Sequence, residues 1–192
     1  MFVTICGNIG SGKTTVLEKL ESNGFDVKFE PVHEWSYLSK FYDNMKQYAF
    51  PLQMQILKSF LSYESSNKSL PTICERSPQE SFQVFASHLY KNNHLDLEQL
   101  RIIKFFTNSF SWEPELYIYI RTEPSICLNR IQSRNRDCET TINLDYIKEL
   151  HNSYENFART NKITHVIDGS KSRDFVYNEV RQIIEEVINN RT

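Results

Sequence analysis

Residues Gly7-Asn8-Ile9-Gly10-Ser11-Gly12-Lys13-Thr14 satisfy the spacing G-x-x-x-x-G-K-[ST], between the apolar run Phe2–Cys6 and a helix-period segment carrying Val16, Leu17 and Leu20. A strand, a glycine-rich turn and a helix in that order make a cradle for phosphate. The glycines let backbone N–H groups converge, Lys13 adds a point charge for the β and γ oxygens, and the Thr14 hydroxyl is a ligand for Mg²⁺. The helix N-terminus contributes its dipole. Gly7, Asn8, Ile9, Gly10, Ser11, Gly12, Lys13, Thr14 and Thr15 are thus the expected binding residues for a nucleoside triphosphate.

The rest of the chain limits the partners. With 192 residues and 40% hydrophobic composition it can bury one substantial core, and residues 1–192 read as a single domain. A net charge of −2 argues against a nucleic-acid or membrane-surface binder, both of which need a basic face. Cys6, Cys74, Cys127 and Cys138 form no C-x-x-C pair and read as reduced structural thiols. No apolar stretch approaches the ~18 residues of a membrane span. Met1 abuts the first strand, leaving no room for a targeting peptide, so a cytoplasmic protein is expected.

Apolar runs at Phe2–Cys6, Phe25–Glu30, Pro71–Glu75, Leu116–Arg121 and Thr164–Asp168 alternate with helix-period segments. That alternation predicts an α/β fold, a five-stranded parallel sheet flanked by helices. Helices are expected around 52–61 and over 79–91, 95–112, 123–135, 143–159 and 173–189, with Ser65-Ser66-Asn67-Lys68-Ser69 as a break. In such sheets ligands sit beyond the carboxyl ends of the strands.

Chemistry-bearing residues lie at those ends. Glu30, before Pro31, is the candidate general base, because phosphoryl transfer needs a group that deprotonates or orients the acceptor. Glu75, after the third strand, is the second candidate ligand for Mg²⁺. Arg76 is placed to bridge the base and the acceptor. Arg130 and Arg134 share a helix face at i, i+4, and Arg136 follows them. This Arg-rich segment reads as a lid that closes on the triphosphate and excludes water.

The phosphate loop, Glu30-Pro31-Val32-x-x-Trp35, Glu75-Arg76-Ser77 and the Arg-rich lid, in this order, resemble the deoxynucleoside kinases. The likeness extends over nearly the whole chain, through Leu116-Tyr117-Ile118-Tyr119-Ile120-Arg121-Thr122-Glu123-Pro124 and Tyr146-Ile147-Lys148-Glu149-Leu150-His151. It implies the P-loop kinase fold and ATP-dependent 5′-phosphorylation of a deoxyribonucleoside. By the same resemblance Glu30 is the base and Arg76 its positive neighbour; Arg130, Arg134 and Arg136 are the lid arginines, and Lys13, Thr14 and Glu75 surround Mg-ATP. Trp35 and Phe85 match the aromatic walls of the nucleoside pocket, with Ile56 beside them. Gln53 matches the amide that reads the base edge, and Tyr42 and Glu139 match the pair on the sugar 3′-hydroxyl. A homodimer through helices remote from the site is also implied.

Pro78-Gln79-Glu80-Ser81 departs from the family pattern after Ser77, as does Asp137-Cys138-Glu139 in the lid. A nucleoside monophosphate kinase such as thymidylate kinase is the nearest rival, but it needs no carboxylate base, so Glu30 argues against it. A regulatory GTPase would need N-K-x-D and D-x-x-G motifs, which are missing. Phe60, seven residues after Gln53, and Ser81 stand where relatives that prefer purines or cytidine carry Arg and Asp. Thymidine is therefore the expected acceptor and deoxycytidine a second one, with purines disfavoured by the bulk of Phe60.

Overall fold

A computed structural model of the protein describes residues 1–64, 70–161 and 164–190. Strands form at the expected runs: β1 (Phe2–Cys6), β2 (Asp26–Lys28), β3 (Thr72–Glu75), β4 (Leu116–Arg121) and β5 (Thr164–Asp168). They make one parallel sheet in the order β2-β3-β1-β4-β5. Apart from Arg121, every residue of β1, β3 and β4 is buried, as strands covered on both faces must be. β2 is shorter than its apolar run. Asp26, Val27 and Lys28 pair with β3, and the chain then leaves the ladder before Pro31, which has no N–H to donate, for a 3₁₀ turn over Val32–Glu34. Glu30 therefore stands just past the strand end rather than in it.

The helices are α1 (Lys13–Ser22), α2 (Leu38–Asp43), α3 (Met45–Phe60), α4 (Pro78–Glu80), α5 (Ser87–Lys91) and α6 (Leu97–Asn108), then α7 (Pro124–Arg134), α8 (Leu144–Thr160) and α9 (Arg173–Asn189). The single helix expected over 79–91 is broken by a π-helical segment, Ser81–Ala86. The expected break at Ser65–Ser69 lies outside the described residues. Local caps set the starts: Asn44 accepts from Gln47 N–H, Asp96 and Gln99 form a capping box, and Asn143 and Ser172 cap α8 and α9.

Val16, Leu17 and Leu20 of α1 meet Val176, Val180 and Ile184 of α9 on one face of the sheet. At ~1.5–3 kcal/mol for each buried aliphatic side chain, that seam outweighs the marginal intrinsic stability of isolated helices. On the other face, Leu150, Tyr154 and Phe157 of α8 cover Tyr117 and Tyr119. A further cluster of Trp35, Leu57, Phe60 and Trp112 gathers α2, α3 and α6 beyond it. The four cysteines are free thiols. No helix among the described residues is long and apolar enough to cross a membrane.

Candidate active site

The exits of β1, β2, β3 and β5 face a cleft of about 1220 Å³, lined at one end by Ile9 through Thr15 and at the other by Trp35, Tyr42, Gln53, Ile56, Ser81 and Phe85. The loop gets its shape from glycines. Gly10 has φ +78, and a Cβ there would lie 2.5 Å from the Cys127 carbonyl oxygen at the start of α7, so no larger residue fits. Gly12, at φ 104, starts α1. Lys13 Nζ donates to the Gly7 and Asn8 carbonyls at 3.0 Å each, which aligns the ammonium along the loop. Burial, and next the positive charge of Arg76, pull Lys13 down to about 8.

Gly7 and Asn8 shape the loop from behind and are not part of the cleft wall. Asn8 bridges elements instead: its side-chain amide donates to Ile147 O of α8 and accepts from Ile9 N–H. Thr14 Oγ1 donates to Glu75 Oε1 at 2.8 Å, and Glu75 Oε2 accepts from the Glu30 N–H at 3.4 Å. A hydroxyl and a carboxylate side by side are hard oxygen donors at the loop, the set that holds Mg²⁺ when phosphate oxygens complete the shell.

Between the two ends lies Arg76. Its backbone sits in the left-handed region at φ 62, a conformation that costs a non-glycine residue ~1–3 kcal/mol. The side chain is held there by contacts on several sides. Nη1 pairs with Glu30 Oε2, Nη2 donates to Gly7 O at 3.4 Å, Nε donates to the Tyr154 hydroxyl at 3.3 Å, and the guanidinium lies 4.8 Å from the Phe85 ring centroid. Charge-assisted bonds of this kind are worth ~1.5–3 kcal/mol each. Glu30 is 5% exposed at its side chain. Burial raises its pKa, and the Arg76 charge works in the opposite direction. The pair thus links the phosphate loop to the opposite end of the cleft through Gly7.

Ser77 caps the following turn by accepting from Glu80 N–H, and Pro78 occupies the first helical position, where a missing N–H costs nothing. The π segment that follows carries Ser81 and Phe85, both of which line the cleft wall. Gln53 Oε1 and Trp35 Nε1 are buried with no hydrogen-bond partner among the described residues, and both side chains belong to the wall. Such groups call for a polar partner in the cleft.

The lid arginines divide. Arg130 is a brace, with Nη1 donating to Ser11 O and Nη2 to Gly169 O, each at 3.0 Å. Arg134 makes two bonds to Glu139, at 2.8 and 2.7 Å, and Arg136 lies 3.6 Å from the same carboxylate. Tyr42 and Glu139 line the cleft together with Tyr146. Burial, then the neighbouring Tyr146 and Glu139, raise the Tyr42 phenol well above its ordinary value.

Phe60 is the exception among the expected pocket residues. It is fully buried, packs edge-on to Trp112 and Tyr63, and is absent from the cleft wall. Seven residues advance a helix about 10.5 Å, so a residue on the same face as Gln53 reaches a different part of the protein. Bulk at Phe60 therefore cannot exclude purines. Sequence reasoning missed Leu52 and Leu89 at this end, and Gly169, Lys171 and Arg173 at the phosphate end. The last three follow β5, where the strand-exit rule pointed.

The deoxynucleoside kinase family model matches residues 3–191. Protein 029R of Invertebrate iridescent virus 3, which carries a kinase name, is 31% identical over 187 residues, 96% of each chain. The thymidine kinase of Ictalurid herpesvirus 1 (strain Auburn) is 28% identical over 93% of this chain and 83% of its own. A structure of deoxyadenosine kinase from M. mycoides with bound dCTP superposes with a TM-score of 0.85 at 23% identity, over 97% of this chain and all of the other, a likeness of fold. With the family match spanning the sheet and every wall of the cleft, the chain belongs to the deoxynucleoside kinase family.

Proposed function

We propose that this kinase transfers the γ-phosphoryl group of ATP to the 5′-hydroxyl of a deoxynucleoside, with thymidine the favoured acceptor and deoxycytidine the second. The carrying observation is the buried Glu30–Arg76 pair, set between the phosphate loop and the pocket that holds Gln53. Glu30 takes the hydroxyl proton as the oxygen attacks the γ-phosphorus and the bond to the β-phosphate oxygen breaks. Arg76 keeps the base ionised and aimed. Lys13 neutralises charge on the β and γ oxygens, while Arg134 and Arg136 bring positive charge to the transferring group from the lid. Thr14 and Glu75 would hold Mg²⁺, which supplies charge neutralisation of the triphosphate when bound.

For the acceptor, the support is Gln53 with its unpartnered oxygen, the small Ser81, and the apolar neighbours Leu52, Ile56 and Leu89. Gln53 can turn its amide to suit either pyrimidine. A thymine methyl beside Ser81 is worth only ~1 kcal/mol, so the preference over deoxycytidine is modest. Measuring kcat/KM for the four deoxynucleosides tests this reading, and faster use of deoxyadenosine or deoxyguanosine than thymidine would reject it. Turnover of thymidine monophosphate but not thymidine would favour the monophosphate kinase instead. The implied homodimer is supported by Leu61, Phe105 and Phe106, which are exposed beside α3 and α6, away from the cleft. Sedimentation as a monomer at micromolar concentration would contradict it.

A further inference from the structure

Two carboxylates flank the Arg76 guanidinium. Glu30 meets it on the cleft side; behind it, Glu80 Oε1 lies 3.3 Å from Nε and accepts a 2.5 Å hydrogen bond from the Tyr154 hydroxyl. The Glu80 side chain is fully buried, and its Oε2 has no partner among the described residues. The charged and titratable groups around it are Arg76, Lys13 and Glu30, with the phenols of Tyr154 and Tyr117 and the Cys6 thiol. A carboxylate is a costly residue to bury for packing alone.

A planar guanidinium has its donors in a fixed fork, so fixing one edge and one face sets where the remaining edge points. Glu80 and Tyr154 hold the Nε edge, Phe85 covers a face, and Nη1 is left directed at Glu30. We propose that Glu80, with Tyr154, is a positioning residue for phosphoryl transfer, which aims Arg76 at Glu30. This rests on the reading of Glu30 as the general base. Burial, offset by Arg76 and by Tyr154, brings Glu80 up to about 7, so its charge changes within the range where such an enzyme is assayed.

The test compares the unaltered chain with Glu80→Gln, Glu80→Asp and Tyr154→Phe in steady-state kinetics with thymidine and Mg-ATP over a range of pH, with melting temperatures alongside. Tyr154→Phe keeps the ring stacked on Tyr119 and removes only the hydroxyl. Glu80→Gln is expected to lower kcat about tenfold while both KM values stay within about threefold, the pattern of a group acting in the transition state. Tyr154→Phe should lower kcat by less, and Glu80→Asp should restore part of the loss. In a Glu30→Gln background the Glu80→Gln change should add less than about twofold, since both act through one proton transfer.

An unchanged kcat with a lowered melting temperature, a raised KM at constant kcat, or multiplying losses in the double variant would each overturn the proposal. Wild-type turnover in Glu30→Gln would remove the reading on which it rests. An impaired Glu30→Gln beside an unimpaired Glu80→Gln would remove this proposal alone.

Discussion

At the phosphate end of the cleft, Ile9 through Thr15 line the wall as one continuous stretch; at the nucleoside end, the wall is assembled from α2, α3, α5, α8, a π-helical segment and the loop holding Trp35. The first is made largely of backbone, and its chemistry is fixed by a turn that only certain residues can form. The second is made of side chains whose positions depend on how separate elements pack. Substitution should therefore abolish catalysis at one end and redistribute specificity at the other.

The most severe test of that contrast is Lys13→Ala, expected to lower kcat/KM for ATP by ~10³ because Lys13 is the one charged residue of the loop's own sequence. Retained ATP-dependent turnover would mean the loop backbone suffices. Glu30→Gln comes next: kcat should fall by ~10² while thymidine affinity, followed by equilibrium titration, changes only a few fold. Arg134→Ala should lower kcat ~10-fold and weaken ATP binding less, since a half-exposed arginine shared with Glu139 contributes less than a dedicated one. Equal losses would make it a simple clamp.

The smallest effect is one of pH. Lys13 is lowered from 10.5 to about 8 in the folded chain, so its charge is lost as pH rises through that value, and kcat/KM for ATP should be halved near pH 8. Folding stability should move oppositely, rising between about 8 and 10.5, where the unfolded chain still holds the proton that the folded one has released. An alkaline limb near 10.5 would show that the loop lysine is not desolvated.

The same contrast explains what could be read in advance. The sheet, the loop, Glu75 and Arg76 were legible because each depends on a short contiguous pattern: an apolar run, a glycine spacing, an acid and a base at a strand exit. Phe60 was misplaced because helical periodicity gives the face of a residue but not what meets that face ten ångströms along the axis. There, Trp112 and Tyr63 do. Glu80 carried no signal, since a glutamate in a polar run reads as solvated until Tyr154 is brought to it from α8. The π segment was equally hidden, and it decides where Ser81 and Phe85 point.

One contact reaches beyond the chemistry. Gly10 lies against the Cys127 carbonyl, and Ser11 O accepts hydrogen bonds from both Thr122 Oγ1 and Arg130 Nη1. The first turns of α7 are thus bolted to the phosphate loop, and Arg134 stands one turn farther along a helix that rises about 6 Å over those four residues. α7 works as a ruler measured from the loop, and its free end begins only at Asn135, which breaks the helix in a left-handed conformation. A lid transplanted from a relative would keep its calibration only if the loop travelled with it. Residues 7–12 and 122–135, far apart in the chain, form one mechanical unit.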